Sequence, residues 1–308
     1  MVYARRMGDP NSKEDLPCMG AEASMVYASR MVDPDSKDDL PFRHYSLKHR
    51  LIAWISIHLF DSATYTVRRG LLKGMKRRGG LGWVPAMFSP GSIMAEQQFW
   101  FGLDLSGKTV YDVGAFQGLL TLFFASRTKA VVCFEPNTQN HKRLMENLML
   151  NGIKNVIVCN AGVGSRHETR KMVANPLMAG GASVDGKTVD ELLRSGARTV
   201  AEEISVVALD EEIPRANLPS PDLIKIDIEG WELEALRGAR HTLELHKPAL
   251  FLEMHGETMR EKRRKVAEIV GFLWELNYRR IRHIETGTSI TPENTSVAVE
   301  GHLYCQPS

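Results

Sequence analysis

The sequence has 308 residues, a net charge of +2 and 43% hydrophobic residues, which is typical of a soluble globular protein with one large domain and an appendage. Its four cysteines follow no metal or redox spacing, and no apolar run reaches the ~18–20 residues of a membrane span. Because the first residues also lack the apolar core of a signal peptide, we expect a cytoplasmic protein.

The first 42 residues contain a near-repeat. Met1–Pro17 returns as Met25–Pro41, and both copies are polar and begin with methionine. Two polar copies are too few to build a repeat fold, so we expect residues 1–42 to be poorly ordered and assign them no chemistry.

Residues 43–105 are predicted to form a basic, helical N-terminal extension. Within them, residues 43–83 carry nine Lys or Arg against one acid, and apolar residues from Leu47 to Leu59 fall at helical spacing. We favour a helical cap that packs on the main domain with its charges in solvent. The alternative is an amphipathic helix that makes peripheral contact with an anionic membrane or covers the active site.

From residue 106 to residue 308 strands and helices alternate, which predicts a single α/β domain with a parallel sheet covered on both faces. Residues 165–203 interrupt the alternation and are predicted to be an insertion over the ligand-binding edge, part of it antiparallel. The last two strands are predicted to form an antiparallel hairpin that completes a seven-stranded sheet. The predicted strands are Val110–Val113, Ala130–Phe134, Val156–Cys159, Ile204–Leu209, Leu223–Ile228, Ala249–Glu253, Tyr278–Ile284 and Ser296–Cys305. The predicted helices are Met94–Trp100, Leu119–Arg127, Gln139–Asn151, Glu232–Leu245 and Thr258–Leu276.

A glycine-rich turn follows the first strand of this domain. Asp112, Gly114 and Gly118 form the pattern Asp-x-Gly-x-x-x-Gly directly before a helix. Glycines let the backbone approach a ligand, and the helix points free N–H groups at the same place. A dinucleotide pyrophosphate favours three glycines without a carboxylate, whereas a sulfonium cofactor with an ammonium group can use one. The turn therefore predicts S-adenosylmethionine rather than NAD, with S-adenosylhomocysteine as product.

The ends of the next two strands complete the predicted cofactor site. Glu135 ends the second strand, where an acid contacts ribose hydroxyls. We assign Asp112, Gly114 and Gly118 to the methionine end of the cofactor, Glu135 to the ribose, and Asn137 with the turn after the third strand to the adenine side. The full predicted set is Asp112, Gly114, Ala115, Phe116, Gln117, Gly118, Glu135, Pro136, Asn137, Asn160, Ala161 and Gly162.

A second stretch carries charge into a predicted core strand. Lys225, Asp227 and Glu229 alternate with isoleucines, which places all three on one side of the strand near its carboxyl end. Glu253 and His255 end the neighbouring strand on one face and should lie beside them. The surplus negative charge can hold a sulfonium, orient a hydroxyl or bind a divalent cation through Asp227, Glu229 and Glu253. His255 is a candidate general base, and all five residues are candidates for catalysis.

The two stretches together resemble the FkbM family of S-adenosylmethionine-dependent methyltransferases. The resemblance covers Val110 to His255, about half of the chain, and leaves residues 1–105 unexplained. It implies a class I Rossmann-like fold and O-methylation of a hydroxyl on a sugar, a lipid-linked or a secondary metabolite. It is carried by Asp112-Val-Gly-Ala-Phe-Gln-Gly118, Phe134-Glu-Pro-Asn137, Asn147-Leu-Met-Leu-Asn-Gly152, Ala208-Leu-Asp210, Lys225-Ile-Asp-Ile-Glu-Gly230 and Glu253.

Two other function classes are compatible with parts of the sequence. An NAD-dependent oxidoreductase shares the strand–turn–helix pattern, although the first glycine of its fingerprint is missing here. A membrane-surface adaptor can combine the basic segment Leu47–Arg78 with a vestigial cofactor fold. No nucleic-acid partner is expected, because the site region lacks an amine-methylating motif and a basic patch interleaved with aromatic residues.

Overall fold

The computed structural model of this protein describes residues 62–79, 95–174, 182–183, 200–256 and 258–308. The predicted disorder of residues 1–42 and the predicted helix from Leu47 to Leu59 lie outside these residues. None of the helices in the described ranges combines the length and apolar character that a membrane crossing requires.

The described elements follow the predicted alternation from residue 106 onward. The strands are β1 Thr64–Thr66, β2 Lys76–Arg78, β3 Thr109–Val113, β4 Ala130–Phe134, β5 Val156–Cys159, β6 Gly162–Val163, β7 Glu168–Ala174, β8 Ala182–Ser183, β9 Val200–Val207, β10 Leu223–Ile226, β11 Ala249–Glu253, β12 Arg280–His283, β13 Ser289–Ile290 and β14 His302–Gln306. The helices are α1 Ala95–Gly102, α2 Leu119–Ala125, α3 Thr138–Leu150, α4 Leu209–Arg215, α5 Glu232–Arg237, α6 Arg240–His246 and α7 Met259–Glu275, with a 3₁₀ turn at Thr295–Ala298.

The central sheet has eight described strands in the order β13-β12-β14-β11-β10-β3-β4-β5. The five strands from β11 to β5 are parallel, and β14 enters antiparallel between β11 and β12. This is the predicted class I methyltransferase arrangement, extended by the short strand β13 beyond the seven predicted strands. The carboxyl ends of the parallel strands meet at one edge, where α/β sheets bind ligands.

The two faces of the sheet divide the core. In β3, Val110 packs with one apolar cluster, while Tyr111 and Val113 pack with the other. Successive side chains of a strand point to opposite faces, so helices on both sides bury the sheet. This burial explains why the central strands have nearly continuous apolar sequences.

The predicted helix over Glu232–Leu245 is interrupted and forms α5 and α6. The interruption lies at Gly238, where an added Cβ would lie 1.9 Å from the carbonyl oxygen of Gly164. Asp210 then accepts hydrogen bonds from the N–H groups of His241 and Thr242, 2.9 and 2.7 Å away, at the start of α6. The chain therefore restarts a helix where an external carboxylate satisfies its first N–H groups.

Two predicted strands are shorter in the structure, one at its start and one at its end. Ser296–Cys305 was expected as one strand, but the 3₁₀ turn occupies its first part and β14 begins only at His302. The strand predicted over Leu223–Ile228 ends at Ile226. Asp227 still donates its N–H to the carbonyl oxygen of Val113, at 3.1 Å, and the chain then turns through Glu229 and Gly230 at φ of 54° and 98°.

The insertion and the basic extension both contain more β-structure than predicted. Strands β6, β9, β7 and β8 form a separate four-stranded sheet, which includes Gly162–Val163 and extends to Val207. In the extension, α1 agrees with the predicted short helix. The basic cluster before it is a hairpin of β1 and β2 rather than a helix. Its chain reverses through Gly70 and Gly74, which have φ of 73° and 90°.

Candidate active site

The glycine turn between β3 and α2 packs against the chain that follows β10. Gly114 has φ of 81°, and a Cβ added there would lie 1.9 Å from the carbonyl oxygen of Asp227. Only glycine allows this conformation and this approach without strain. The N–H groups of Gly114 and Ala115 both donate to the carbonyl oxygen of Phe134, each at 3.0 Å. The turn is thereby fixed between the ends of its two neighbouring strands.

Glu135 holds the turn from the end of β4. Its carboxylate accepts hydrogen bonds from the N–H of Phe116 at 2.7 Å and from the N–H of Asn137 at 2.9 Å. Phe116 itself has a positive φ of 50°. Burial raises the pKa of Glu135, although these N–H groups act in the opposite direction. The Asn140 side chain also hydrogen-bonds to Glu135, so about one of the four lone-pair sites of the carboxylate remains for the ribose contact that the sequence predicts.

Asp112 supports the turn from within the sheet. Its carboxylate is fully buried, accepts a hydrogen bond from the Thr121 hydroxyl at 2.6 Å, and lies 3.2 Å from the Lys225 ammonium. In this conformation its partners are Thr121 and Lys225, and the contact of Asp112 with the methionine end of a cofactor stays a prediction.

Lys225 joins the two chemical stretches. Its ammonium donates to the carbonyl oxygen of Gly114 at 3.0 Å and lies 3.3 Å from the Asp227 carboxylate. Burial lowers the pKa of Lys225, but the charges of Asp227 and Asp112 outweigh this effect and raise it. A buried lysine bonded to the turn is placed to position it, and the prediction that Lys225 takes part in catalysis stays a prediction.

The predicted adenine side is held together by its own polar contacts. Asn137 caps α3 by accepting the N–H of Asn140 at 3.0 Å, and its amide donates to Glu202 of the insertion sheet at 3.3 Å. The Asn160 amide, oriented with its nitrogen toward β4, donates to the carbonyl oxygens of Glu135 and Pro136 at 3.0 and 3.1 Å. Of the two residues after Asn160, Ala161 is buried and Gly162 begins β6, so the predicted turn is shorter than expected.

The charged residues predicted at the ends of β10 and β11 are assembled around His255. The His255 Nε2 atom lies 3.5 Å from Glu253, 3.7 Å from Asp227 and 3.7 Å from Glu229. Its Nδ1 atom lies 2.9 Å from Glu232. The structure thus brings together the four acidic and histidine candidates predicted from β10 and β11. Asp227 and Glu229, however, stand on the turn after β10 rather than on the strand itself.

The carboxylates around His255 favour its protonated form. Burial lowers its pKa, but hydrogen bonds to Glu232 and Glu253 raise it well above the ordinary value. An imidazolium has no free lone pair to accept a proton. The general-base role of His255 stays a prediction for its neutral form; when protonated, His255 is placed to orient and partly neutralise the carboxylates around it.

The carboxylates differ strongly in their proton affinity. Desolvation raises the pKa of Asp227, and the charge of Glu253 adds to the shift. Desolvation together with Asp227 and Glu253 raises the pKa of Glu229 to about 7, and solvent access to 43% of its side chain reduces this effect. In Glu253 and Glu232, desolvation is outweighed by hydrogen bonds from His255, so both pKa values are lowered. Asp227 and Glu229 are thus the groups suited to accept a proton.

The possible cation ligands also differ from the predicted set. Oxygen atoms of Asp227 and Glu229 and a nitrogen of His255 lie within 4.8 Å of one another and can hold a metal ion. Glu253 was predicted as the third ligand, but it lies between His255 and His302, 3.5 and 3.7 Å away. Two carboxylates and an imidazole suit a divalent ion such as Mn²⁺ or Zn²⁺ once His255 loses its proton.

Sequence reasoning missed two members of the cluster. Glu232 starts α5 and fixes Nδ1 of His255, but its position three residues after Glu229 was interpreted only as the start of a helix. His302 pairs directly with Glu253 across the antiparallel β11–β14 ladder. Its contact depends on strand register, for which the sequence has no local signal.

The strand order, the inserted antiparallel strand and the glycine turn beside an acidic cluster define a class I methyltransferase. The model of the methyltransferase FkbM domain matches residues 112–280, more than half of the chain. The chain therefore belongs to the FkbM methyltransferase family, as the resemblance implied. This membership favours methyl transfer over the NAD-dependent alternative.

Individual relatives cover only parts of the chain. The hexuronic acid methyltransferase AglP of Haloferax volcanii is 27% identical over 135 residues, 44% of this chain and 51% of its own. The AMB antimetabolite synthetase AmbE of Pseudomonas aeruginosa is 28% identical over 178 residues, 47% of this chain and 8% of its own. A crystal structure of methyltransferase FkbM from Methylobacillus flagellatus is 21% identical with a TM-score of 0.44, covering 67% of this chain and 45% of its own. The chain spans about half or less of the length of these proteins.

Proposed function

We propose that this protein transfers the methyl group of S-adenosylmethionine to a hydroxyl oxygen of a sugar, a lipid-linked or a secondary metabolite. One observation carries the proposal: the glycine turn between β3 and α2, called the cofactor turn below, packs against the acidic cluster around His255. At this contact, a Cβ added to Gly114 would lie 1.9 Å from the carbonyl oxygen of Asp227. A methyl donor held by the turn therefore lies beside groups that can accept a proton.

The reaction needs little covalent chemistry from the protein. The acceptor oxygen attacks the methyl carbon, the sulfur–carbon bond breaks, and S-adenosylhomocysteine leaves with the electron pair. Alignment of the two reactants can supply about 7–11 kcal/mol of the barrier. The hydroxyl proton passes to Asp227 or Glu229, which are the partly exposed carboxylates of the cluster.

A divalent cation is the second arrangement that the same residues support. Bound by Asp227, Glu229 and His255, it would lower the pKa of the acceptor hydroxyl. Exhaustive chelation distinguishes the two arrangements. Full activity after chelation excludes the cation, and activity restored by added Mn²⁺ excludes the metal-free reaction.

The charge of the cluster supports a hydroxyl rather than a carboxylate as the methyl acceptor. The relative AglP carries the name hexuronic acid methyltransferase, so a sugar acid is the first acceptor to test. A sugar carboxylate close to Asp227, Glu229 and Glu253 would be repelled, whereas a neutral hydroxyl is not. Methyl ethers survive mild alkali and methyl esters do not, so alkaline treatment of the labelled product tests this choice. Loss of the label would refute hydroxyl methylation.

Cofactor binding is tested by calorimetric titration with S-adenosylhomocysteine. We expect Glu135→Ala to weaken binding by about tenfold or more, since it removes the ribose contact and the support of Phe116. Asp222→Ala is the matched control, because Asp222 likewise accepts a backbone N–H, that of Thr109 at 2.7 Å, but at the opposite edge of the sheet. Unchanged affinity in Glu135→Ala would refute the assignment of Glu135.

A further inference from the structure

Two side-chain amides, one in helix α3 and one at its C-cap, form hydrogen bonds to the basic hairpin of β1 and β2. Asn151 accepts the N–H of Lys76 at 2.8 Å and donates to the Lys76 carbonyl oxygen at 2.7 Å. Asn147 accepts the N–H of Arg78 at 2.9 Å. The two asparagines are four residues apart, on one helix face, and their spacing matches two residues of an extended strand. The two side chains thus make hydrogen bonds to the β2 backbone of the kind that a neighbouring strand would make.

Asn147 also reaches the cofactor turn. Its amide nitrogen donates to the carbonyl oxygen of Gln117 at 2.9 Å, and the side chain is fully buried. The next residue, Gly118, has φ of 82° and packs against Leu144, where an added Cβ would lie 2.8 Å from Cδ1. Helix α3 thus supports the end of the turn twice, through Leu144 by packing and through Asn147 by a hydrogen bond.

We infer that Asn147 is a positioning residue that couples the N-terminal hairpin to the S-adenosylmethionine site. This inference rests on the proposed function. One amide satisfies a hairpin N–H and a turn carbonyl at the same time, so movement of Arg78 is transmitted to Gln117. The hairpin lies before residue 112, where the family match begins, and it contacts the cofactor turn through Asn147.

The chemistry of the amide allows the turn contact to be broken selectively. Asn147→Asp keeps an oxygen that accepts the Arg78 N–H, but it replaces the donor that faces the Gln117 carbonyl. Asn151→Asp makes the same change at the second asparagine. Asn151 hydrogen-bonds to Lys76 and to the carbonyl oxygen of Asn147 but not to the turn. Asn151→Asp is therefore the matched control.

Calorimetric titration with S-adenosylhomocysteine measures the effect. We expect Asn147→Asp to raise the dissociation constant by about tenfold, as for the loss of a buried hydrogen bond, and Asn151→Asp to change it by less than twofold. In turnover, KM for S-adenosylmethionine should rise in Asn147→Asp while kcat and the KM of the acceptor stay constant. Equal weakening by both variants, or no weakening by Asn147→Asp, would overturn the inference.

A measurement on the wild-type protein covers the case in which Asn147→Asp fails to fold. Coupling is reciprocal, so S-adenosylhomocysteine should slow hydrogen exchange of the Arg78 amide in the hairpin. Unchanged exchange at saturating ligand would refute the coupling. If the wild-type protein binds no S-adenosylhomocysteine, the proposed function fails instead, and the two failures are thereby distinguished.

Discussion

Replacement of Gly114 by alanine tests whether the cofactor turn and the acidic cluster are in fact packed together. The new Cβ would lie 1.9 Å from the carbonyl oxygen and 2.9 Å from the carbonyl carbon of Asp227. Both are backbone atoms, so no side-chain rotation can relieve the overlap. The turn and Asp227 must separate by about 1 Å, which is the scale of misplacement that costs about 10²-fold in rate.

The cost in stability has two parts that can be measured separately. An alanine at φ of 81° costs about 1–2 kcal/mol for its left-handed backbone, and the overlap adds about 1–3 kcal/mol. Gly107→Ala isolates the first part, because Gly107 has φ of 72° and its added Cβ meets no atom within 4 Å. Gly118→Ala should lose an intermediate amount of unfolding free energy, because its Cβ would meet the Leu144 side chain, which is flexible.

Urea unfolding and single-turnover methyl transfer are the assays. We expect Gly114→Ala to lose about 2–5 kcal/mol of unfolding free energy and about 100-fold in rate. Gly107→Ala should lose about 1–2 kcal/mol and keep its rate. If Gly114→Ala is no less stable and no slower than Gly107→Ala, the two stretches are not in contact and the central geometry is wrong.

Substitutions at three further positions test individual contacts. Asp210→Ala should lower the unfolding free energy by about 2 kcal/mol in urea titrations, because Asp210 caps α6 by accepting three hydrogen bonds, two of them from Thr242. Asp210→Asn should lose less unfolding free energy, and an equal loss would argue against charge-assisted capping. Trp231→Ala should cost about 2–3 kcal/mol and slow turnover, while Trp231→Phe costs less. Trp231 follows the turn after β10 and packs against the insertion sheet, with the Arg170 guanidinium 4.4 Å from its ring. Burial lowers the pKa of His302, but hydrogen bonds to Glu253 and Glu285 outweigh this effect and raise it to about 10. The stabilisation of the fold by protonated His302 is therefore complete below about pH 6.5 and is lost as the pH rises toward 10. The melting temperature should therefore fall between pH 6 and pH 9, and Glu285→Gln should flatten this slope; an equally steep slope in the variant would contradict the pairing.

The parts of the site that parallel strands create could be predicted from the sequence. Asp112, Glu135 and Asp227 each follow or end a run of apolar residues, and the carboxyl ends of parallel strands meet at one edge. Their proximity therefore follows from the alternation of strands and helices alone. The same argument placed His255 near Asp227 without any knowledge of distances.

The remaining parts depend on register and on contacts between distant segments. His302 reaches Glu253 only because β14 pairs antiparallel with β11 in one particular register. The β1–β2 hairpin lies in the extension that was predicted to be helical, and it is paired along β2 by Asn147 and Asn151 from a helix and its C-cap far along the chain. The charge state of His255 depends on Glu232, which belongs to the next helix. Local periodicity contains none of these relationships.

Transfer of a labelled methyl group is the measurement that tests the central claim most directly. The protein is incubated with methyl-labelled S-adenosylmethionine and a panel of sugars and sugar acids, with Asp227→Asn and Glu229→Gln in parallel. The account predicts one S-adenosylhomocysteine per alkali-stable methyl ether, and a rate lower by about 10²–10⁴-fold in at least one variant whose S-adenosylhomocysteine affinity is unchanged. Equal turnover by the wild-type protein and both variants would contradict it, and so would a product that carries its label as a methyl ester.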